Sequence, residues 1–479
     1  MTPGTVTEAP LRTVAGPKPT NARTRLLLEG PIVSTLLRLA APNVVVNVVL
    51  IAVTATVDAH FVGRLGGSGL AGLALVFPLL MLMQQMANSS MGGAIASAIA
   101  RAIGAGRRAD ASALVVHGLV IAGVVGGIFT SILLVGGPAI YALMGGRGET
   151  LAAAVEYSNT IFTGAVVYWV LSTLTSVLRG TGQPALLAIV YIAAEILHIA
   201  LVPTLVFGFG PIPSLGIAGA GIATVASFTA SSLVLAWYVI SGRTAVTLSF
   251  RGVRLEPRLF REILRVGAPM SLQPFINNLT LATLTGLVGV LGPTALAAFG
   301  AAVRLEYTLI PLTFGLGAAL QAMAGTNIGA GNFPRAARIA WTAAGLASAL
   351  TGTIGLLAMT WPGAWVAFFN AAPAVHVMAA SYLAVVSLTY GFLGLGMTFS
   401  SAFQAAGRPS WPLAAITSRA VVVATGGWLV IHATNLGLVG VALVAACGLI
   451  VFGSTLAIAF RTGRWIPSVP KAKPREKAA

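Results

Sequence analysis

Long apolar runs recur along the whole chain, and they limit the folds open to it more than any other feature does. About twelve of them reach the roughly 20 residues that a helix needs to cross a bilayer. They fall at 33–62, 69–102, 110–136, 150–178, 183–207, 215–241, 260–290, 295–327, 335–361, 377–404, 410–433 and 437–460. A transmembrane β-barrel would show short alternating segments instead. Only 8% of the residues are charged and 57% are hydrophobic, whereas soluble domains carry roughly 25% charged residues. No soluble core buries that much apolar surface. The expectation is an all-α integral membrane protein of about 12 transmembrane helices, multi-pass in the cell (inner) membrane, with the lipid bilayer as its partner.

The chain holds 28 Lys and Arg against 11 Asp and Glu, a formal charge of +17. The position of that charge matters more than its size. Arg12, Lys18, Arg23 and Arg25 precede the first run, and Arg101, Arg107 and Arg108 follow the second. Arg179, then Arg243, Arg251, Arg254 and Arg258, then Arg335, Arg338 and Arg408 are read as later loops of the same side, and a basic tail ends the chain. The opposite loops hold only Arg64 and Arg147. This is the positive-inside pattern for two cytoplasmic termini and an even number of spans, so the charge calls for no nucleic acid. Residues 1–31 lack the apolar stretch of a signal peptide and read as a disordered cytosolic tail. Residues 242–259 read as a basic linker, and 462–479 as a second tail. The single cysteine, Cys447, allows neither an internal disulfide nor a thiolate metal cluster.

The chain also repeats itself. RLAAPNVV (38–45) resembles RVGAPMSL (265–272), and LGGSGLAGLALV (65–76) resembles LGPTALAAFGAAV (291–303). AIGAGRRADA (102–111) resembles NIGAGNFPRAA (327–337), and LRGTGQP (178–184) resembles FQAAGRP (403–409). In all four pairs the second segment follows the first at a nearly constant interval. Two homologous halves follow, an N-lobe at 32–241 and a C-lobe at 260–461, each of six spans. An even number of spans per half makes them parallel repeats around a central cavity, an architecture found in secondary transporters.

Polar side chains inside the spans are the candidate functional groups. On span one, Asn43, Asn47, Thr54 and Asp58 share a helical face; on span five, Tyr191, Glu195 and His198 do. A polar stripe on a helix in lipid turns into the bundle. Together they predict one protonatable pocket between spans one and five, with Asn43, Asn47, Thr54 and Tyr191 lining it. The alternative for Asp58 is a structural carboxylate, and for Glu195 with His198 a packed polar pair. Gln273 and Asn277 are the span-seven counterparts and line the cavity. Arg304 and Glu306 are embedded charges read as structural, with a cavity role for Glu306 as the alternative. They stand two residues apart and point to nearly opposite sides of a helix. Pro42 inside span one is a candidate hinge. No HExxH, Walker A or G-x-S-x-G motif occurs, so no enzyme activity is expected. Without a nucleotide-binding segment, transport would draw on an ion gradient. Nothing in the residues bears on oligomeric state.

Several of these segments, taken in order, resemble the multidrug and toxic compound extrusion (MATE) family. They are Pro42 with VDAHFVGRLG, ARAIGAGR after span two, LRGTGQP after span four, and AAFGAAVRLEYTLIPLTFGLGAALQAMAGTNIGAGN at 297–332. The resemblance covers residues 33–460 and is nearest the prokaryotic branch called DinF-like. It implies two six-helix lobes and export of small organic compounds, cationic or amphipathic, in exchange for H⁺ or Na⁺, with no other cofactor. By position, Asp58 matches the family's span-one aspartate and Thr224 a span-six threonine of the same cation site. The branch's span-five N-x-x-x-D-P reads HIALVP here, with His198 and Val202 replacing the asparagine and aspartate. Asn277 stands where the NorM-like branch keeps a glutamate. Losing those oxygens disfavours Na⁺ at Asp58, so the expectation is proton coupling through Asp58, Glu195 and His198, with no other metal. Na⁺-coupled export, or a lipid-linked oligosaccharide flippase of the wider superfamily, is the alternative.

Overall fold

Glycine and proline set the ends of the helices that the apolar runs become. Pro184, Pro257, Pro293, Pro334 and Pro373 all sit in first helical turns, where a missing N–H costs nothing. Several helices end in the same way, four of them in pairs across the repeat. The backbone N–H groups of Gly106, Gly182, Gly331 and Gly407 bond three residues back, and the following residue bonds five back. These are Schellman closures, which place the glycine in the left-handed region; φ is 74°, 73°, 76° and 73°. Gly106 pairs with Gly331, and Gly182 with Gly407, across the repeat, so the duplicated sequence encodes duplicated helix ends.

The computed structural model describes residues 22–49, 55–248, 254–369 and 372–466. In chain order the helices are α1 (Ala22–Glu29), α2 (Ile32–Val49), α3 (Ala55–Gly63), α4 (Gly67–Gln85), α5 (Gly92–Gly104), α6 (Arg108–Leu143), α7 (Gly148–Thr163), α8 (Ala165–Gly180) and α9 (Pro184–Phe207). There follow α10 (Gly216–Ile240), α11 (Pro257–Gly289), α12 (Pro293–Gly329), α13 (Phe333–Thr360), α14 (Pro362–Ala367), α15 (Pro373–Val386), α16 (Tyr390–Ala405), α17 (Ser410–Ala433) and α18 (Gly437–Arg461). A π-helical turn, Met86–Met91, joins α4 to α5. Among the described residues, nine helices or continuous helix pairs are long and apolar enough to cross a membrane; α7 and α8, bent by 47° at Gly164, make a tenth span. The other two predicted spans are α2 with α3, on either side of residues 50–54, and α11. The latter carries Arg258, Arg261, Glu262 and Arg265 at its start and Gln273, Asn277 and Asn278 further in.

The N-lobe core runs from α2 through α10, includes Trp169, Tyr157 and Phe162, and takes in Leu259, Ile263, Val266 and Met270 of α11. The C-lobe has two apolar clusters, one of them completed by Leu36, Leu39 and Ala40 of α2. Span one is thus shared: α2 packs on α12 of the C-lobe, while α3 packs on α4, α9 and α10 of the N-lobe.

Two expectations are corrected here. Residues 22–29, taken as part of a disordered tail, form α1; Leu27 is buried and its carbonyl accepts the Asn327 amide at 3.0 Å. Arg179, taken as a loop charge, lies inside α8 and is 5% exposed. The helix runs on to Gly180, so the guanidinium stays inside the bundle.

At the end of the bundle that carries Arg101 and Arg107, the basic end, the lobes meet on an axis of pseudo-twofold symmetry. A Cβ on Gly104 would stand 1.9 Å from the Thr326 carbonyl oxygen, and a Cβ on Gly329 2.0 Å from that of Arg101. These two contacts are copies of each other across the internal repeat, and glycine alone permits backbones so close. Arg101 completes the closure, donating to the Ala405 carbonyl at 2.8 Å and meeting Glu262 at 3.5 Å.

Candidate functional site

The N-lobe site is built on three helices. Asp58 of α3 is 5% exposed and His198 of α9 is 1% exposed, and the imidazole Nε2 stands 3.0 Å from Asp58 Oδ1. Tyr157 of α7 donates its hydroxyl to the other carboxylate oxygen at 3.5 Å. The His198 ring also meets the Ala223 backbone of α10, and Glu195, one turn earlier on α9, acts on it electrostatically. An imidazole between a carboxylate and a carbonyl is suited to gaining and losing a proton. Glu195, His198, Thr224 and Tyr191 border a void of about 10 Å³, room for one water at most.

The structure therefore brings together Asp58, Glu195, His198, Thr224 and Tyr191. Thr224 borders the void but spends its hydroxyl on the Ala220 carbonyl, 3.1 Å away, and Tyr191 bonds Thr175 at 3.3 Å. Asn43 and Asn47, expected to line the pocket, border neither that void nor the C-lobe cavity. Their amides donate to the Leu39 and Asn43 carbonyls at 2.9 and 2.8 Å, because α2 packs against α12 and α9 along this face. Thr54 lies outside the described residues. Pro42 sits inside α2, which continues past it as helix. Tyr157 was missed: its neighbour Glu156 is exposed, and an aromatic among apolar residues reads as core.

A central cavity of about 160 Å³ lies mostly in the C-lobe, with Gln85, Ser89 and Ser90 of the N-lobe on its wall. Gln273 and Asn277 of α11 line it as expected, with Glu306 of α12, Ser400 of α16 and Arg419 of α17. Arg419 is 7% exposed; its Nη2 donates to Glu306 at 3.1 Å and its Nη1 to Asn277 Oδ1 at 3.3 Å. Gln273 and Ser400 are hydrogen-bonded at 3.3 Å. Glu306 thus belongs to the cavity, while Arg304, expected to be embedded, is exposed and lies over the Phe369 ring at 5.1 Å. The two-residue spacing places them on opposite sides of α12.

The π-turn, a frequent device at functional sites, brings Ser89 and Ser90 to the wall of this cavity. Gln404 of α16 crosses the lobes and donates to the Ser89 and Ser90 carbonyls at 3.1 and 2.8 Å, and it accepts from Gln321 at 2.5 Å. Ser90 donates to the Met270 carbonyl at 2.9 Å. The signal for this belt was ambiguous, since glutamine and serine carry no charge to single them out.

Comparison with known proteins is consistent with this geometry. The MatE family model matches twice, at residues 44–204 and 269–429, and the second match is the first moved along the chain by the interval of the internal repeat. A protein of Shewanella oneidensis called an FAD transporter is 26% identical over 385 residues, covering 80% of this chain and 84% of its own length. The probable multidrug resistance protein NorM of Thermotoga maritima is 25% identical, covering 90% and 92%. A solved MOP superfamily transporter from Pyrococcus furiosus, described as having a binding pocket of reversed polarity, superposes with a TM-score of 0.84 at 25% identity, covering 93% and 98%. The family match, the repeat and the fold agree: this chain is a member of the MatE family of multidrug and toxic compound extrusion transporters.

Proposed function

We propose that the protein exports amphipathic organic compounds in exchange for protons carried by the Asp58–His198 pair. The observation that carries this reading is the buried 3.0 Å contact between the two. Both Asp58 oxygens already face protein donors, His198 and Tyr157. A sodium ion prefers several free hard oxygens, so this arrangement supports H⁺ as the coupling ion. The positive-inside distribution supports a cytoplasmic location for the basic end. The tight glycine contacts there support a state closed to the cytoplasm and open outward.

Span one links the two sites. Its α3 half carries Asp58 in the N-lobe, and its α2 half packs on α12, which carries Glu306 into the cavity. A proton arriving at Asp58 and His198 changes the charge beneath α3 and biases that packing. By linkage, proton and substrate then disfavour each other, which is the requirement of an antiporter. Glu306 is held by Arg419, so the cavity presents a neutralised pair and no bare carboxylate. That weakens the expectation of cationic cargo.

The test uses liposomes with a pH-sensitive dye inside and gradients of ethidium or riboflavin. Proton flux that follows the compound, needs no sodium and disappears in Asp58→Asn is the expected result. Flux that requires sodium, or that survives in Asp58→Asn, would overturn the assignment.

A further inference from the structure

Arg179 has a role in neither site described so far, although it lies between them. It is 5% exposed, and among the described residues no carboxylate stands within salt-bridge distance of its guanidinium. Its Nε–H is buried without an acceptor. The group lies over the Phe314 ring, with Cζ 4.9 Å from the centroid. Phe314 belongs to α12 in the other lobe and lines the C-lobe cavity. Tyr191 and Tyr168 lie near enough to Arg179 to interact with it electrostatically, and Tyr191 borders the void beside His198.

A guanidinium taken out of water needs an anion or a full set of acceptors. An aromatic face and the carbonyl end of its own helix offset only part of that cost. The other charges near the cavity cancel, since Glu306 is taken by Arg419. Among the described residues, Arg179 is left at the interface of the lobes as a positive charge with no carboxylate partner, under a ring that the opposite lobe carries.

We propose that Arg179 is an anion-recognition residue of the transport site, receiving the phosphate or carboxylate of an amphipathic organic anion once Phe314 swings off it. Five N–H donors in a planar fork suit either group. This rests on the reading that the central cavity holds the transported compound, and it narrows the cargo to organic anions. The relative called an FAD transporter supplies the probe chemistry, an apolar ring system joined to phosphate.

Riboflavin and FMN share one ring system and differ by a single phosphate. Their equilibrium binding to the full-length protein in neutral detergent is read by flavin fluorescence anisotropy. Wild type is expected to bind FMN at least about tenfold more tightly than riboflavin, the scale of one charge-assisted contact. Arg179→Gln is expected to bring the two affinities together, while Arg179→Lys keeps part of the preference. No FMN preference in wild type, or a preference that survives Arg179→Gln, would overturn the proposal. So would displacement of FMN by phosphatidylglycerol at equal concentration, which would assign the charge to a lipid headgroup. Should Arg179→Gln fail to elute as a single species, wild type decides: the FMN dissociation constant must rise with added salt while that of riboflavin does not. Binding is measured without a gradient, so loss of proton flux with an intact FMN preference would sink the antiport reading alone.

Discussion

Arg419 and Glu306 stand 3.1 Å apart across α17 and α12, and their contact turns what the sequence shows as two separate embedded charges into one neutral wall of the cavity. Arg419→Met is therefore expected to strand Glu306. Removing one partner of a buried pair costs roughly 3–5 kcal/mol, and the partial exposure of Glu306 puts this case near the lower end. The double variant Arg419→Met with Glu306→Leu should recover most of the loss. Thermal unfolding in detergent checks both, and equal destabilisation of the single and double variants would speak against the pair.

His198 and Asp58 act as a unit in this geometry. His198→Gln and Asp58→Asn are each expected to reduce substrate-linked proton flux by at least about tenfold, a typical contribution of a positioned proton-transfer group being larger still. Combining them should add little, because residues within one hydrogen-bonded pair are not additive. Flux in the double variant equal to the product of the single losses would show two independent roles.

Gln404 donates to two carbonyls of the π-turn. Gln404→Leu keeps the bulk and removes the donor. Each buried acceptor left unpaired costs about 1–3 kcal/mol, so a clear fall in melting temperature is expected. An unchanged melting temperature would mean that water reaches Ser89 and Ser90.

Gly329 has no room for a methyl group, since its Cβ would meet the Arg101 carbonyl oxygen at 2.0 Å. Gly329→Ala is expected to hold the lobes apart at the basic end. Cysteines introduced on α5 and α12 near that end, in a background lacking Cys447, should then label faster with a water-soluble maleimide than in the Gly329 parent. Equal labelling rates would show that the backbones slide to accept the methyl.

Much of this was legible beforehand. The spans 410–433 and 437–460 agree with α17 and α18 to within one residue, because lipid permits only long apolar helices. Asp58, Glu195 and His198 were found together because a polar stripe on such a helix has one direction in which to face. Tyr157 was not found, since a tyrosine in an apolar run reads the same whether it fills a core or donates to a carboxylate. Arg179 was placed in a loop because hydropathy sees a charge as an end, whereas α8 closes only at Gly180 and Gly182.

By itself the sequence determined the membrane class, the approximate positions of the apolar spans, the doubling of the chain at a nearly constant interval and the glycines of the four repeated helix closures. These depend on local properties: apolar length, glycine conformation and charge between spans. Only the tertiary structure decided which side chains meet. His198 reaches Asp58 across 140 residues, Arg419 reaches Glu306 across 113, and Arg179 lies on a ring of the opposite lobe. Helical periodicity tells each of these residues to face inward. Which residue waits there follows from how the spans pack together, and no single span contains that information.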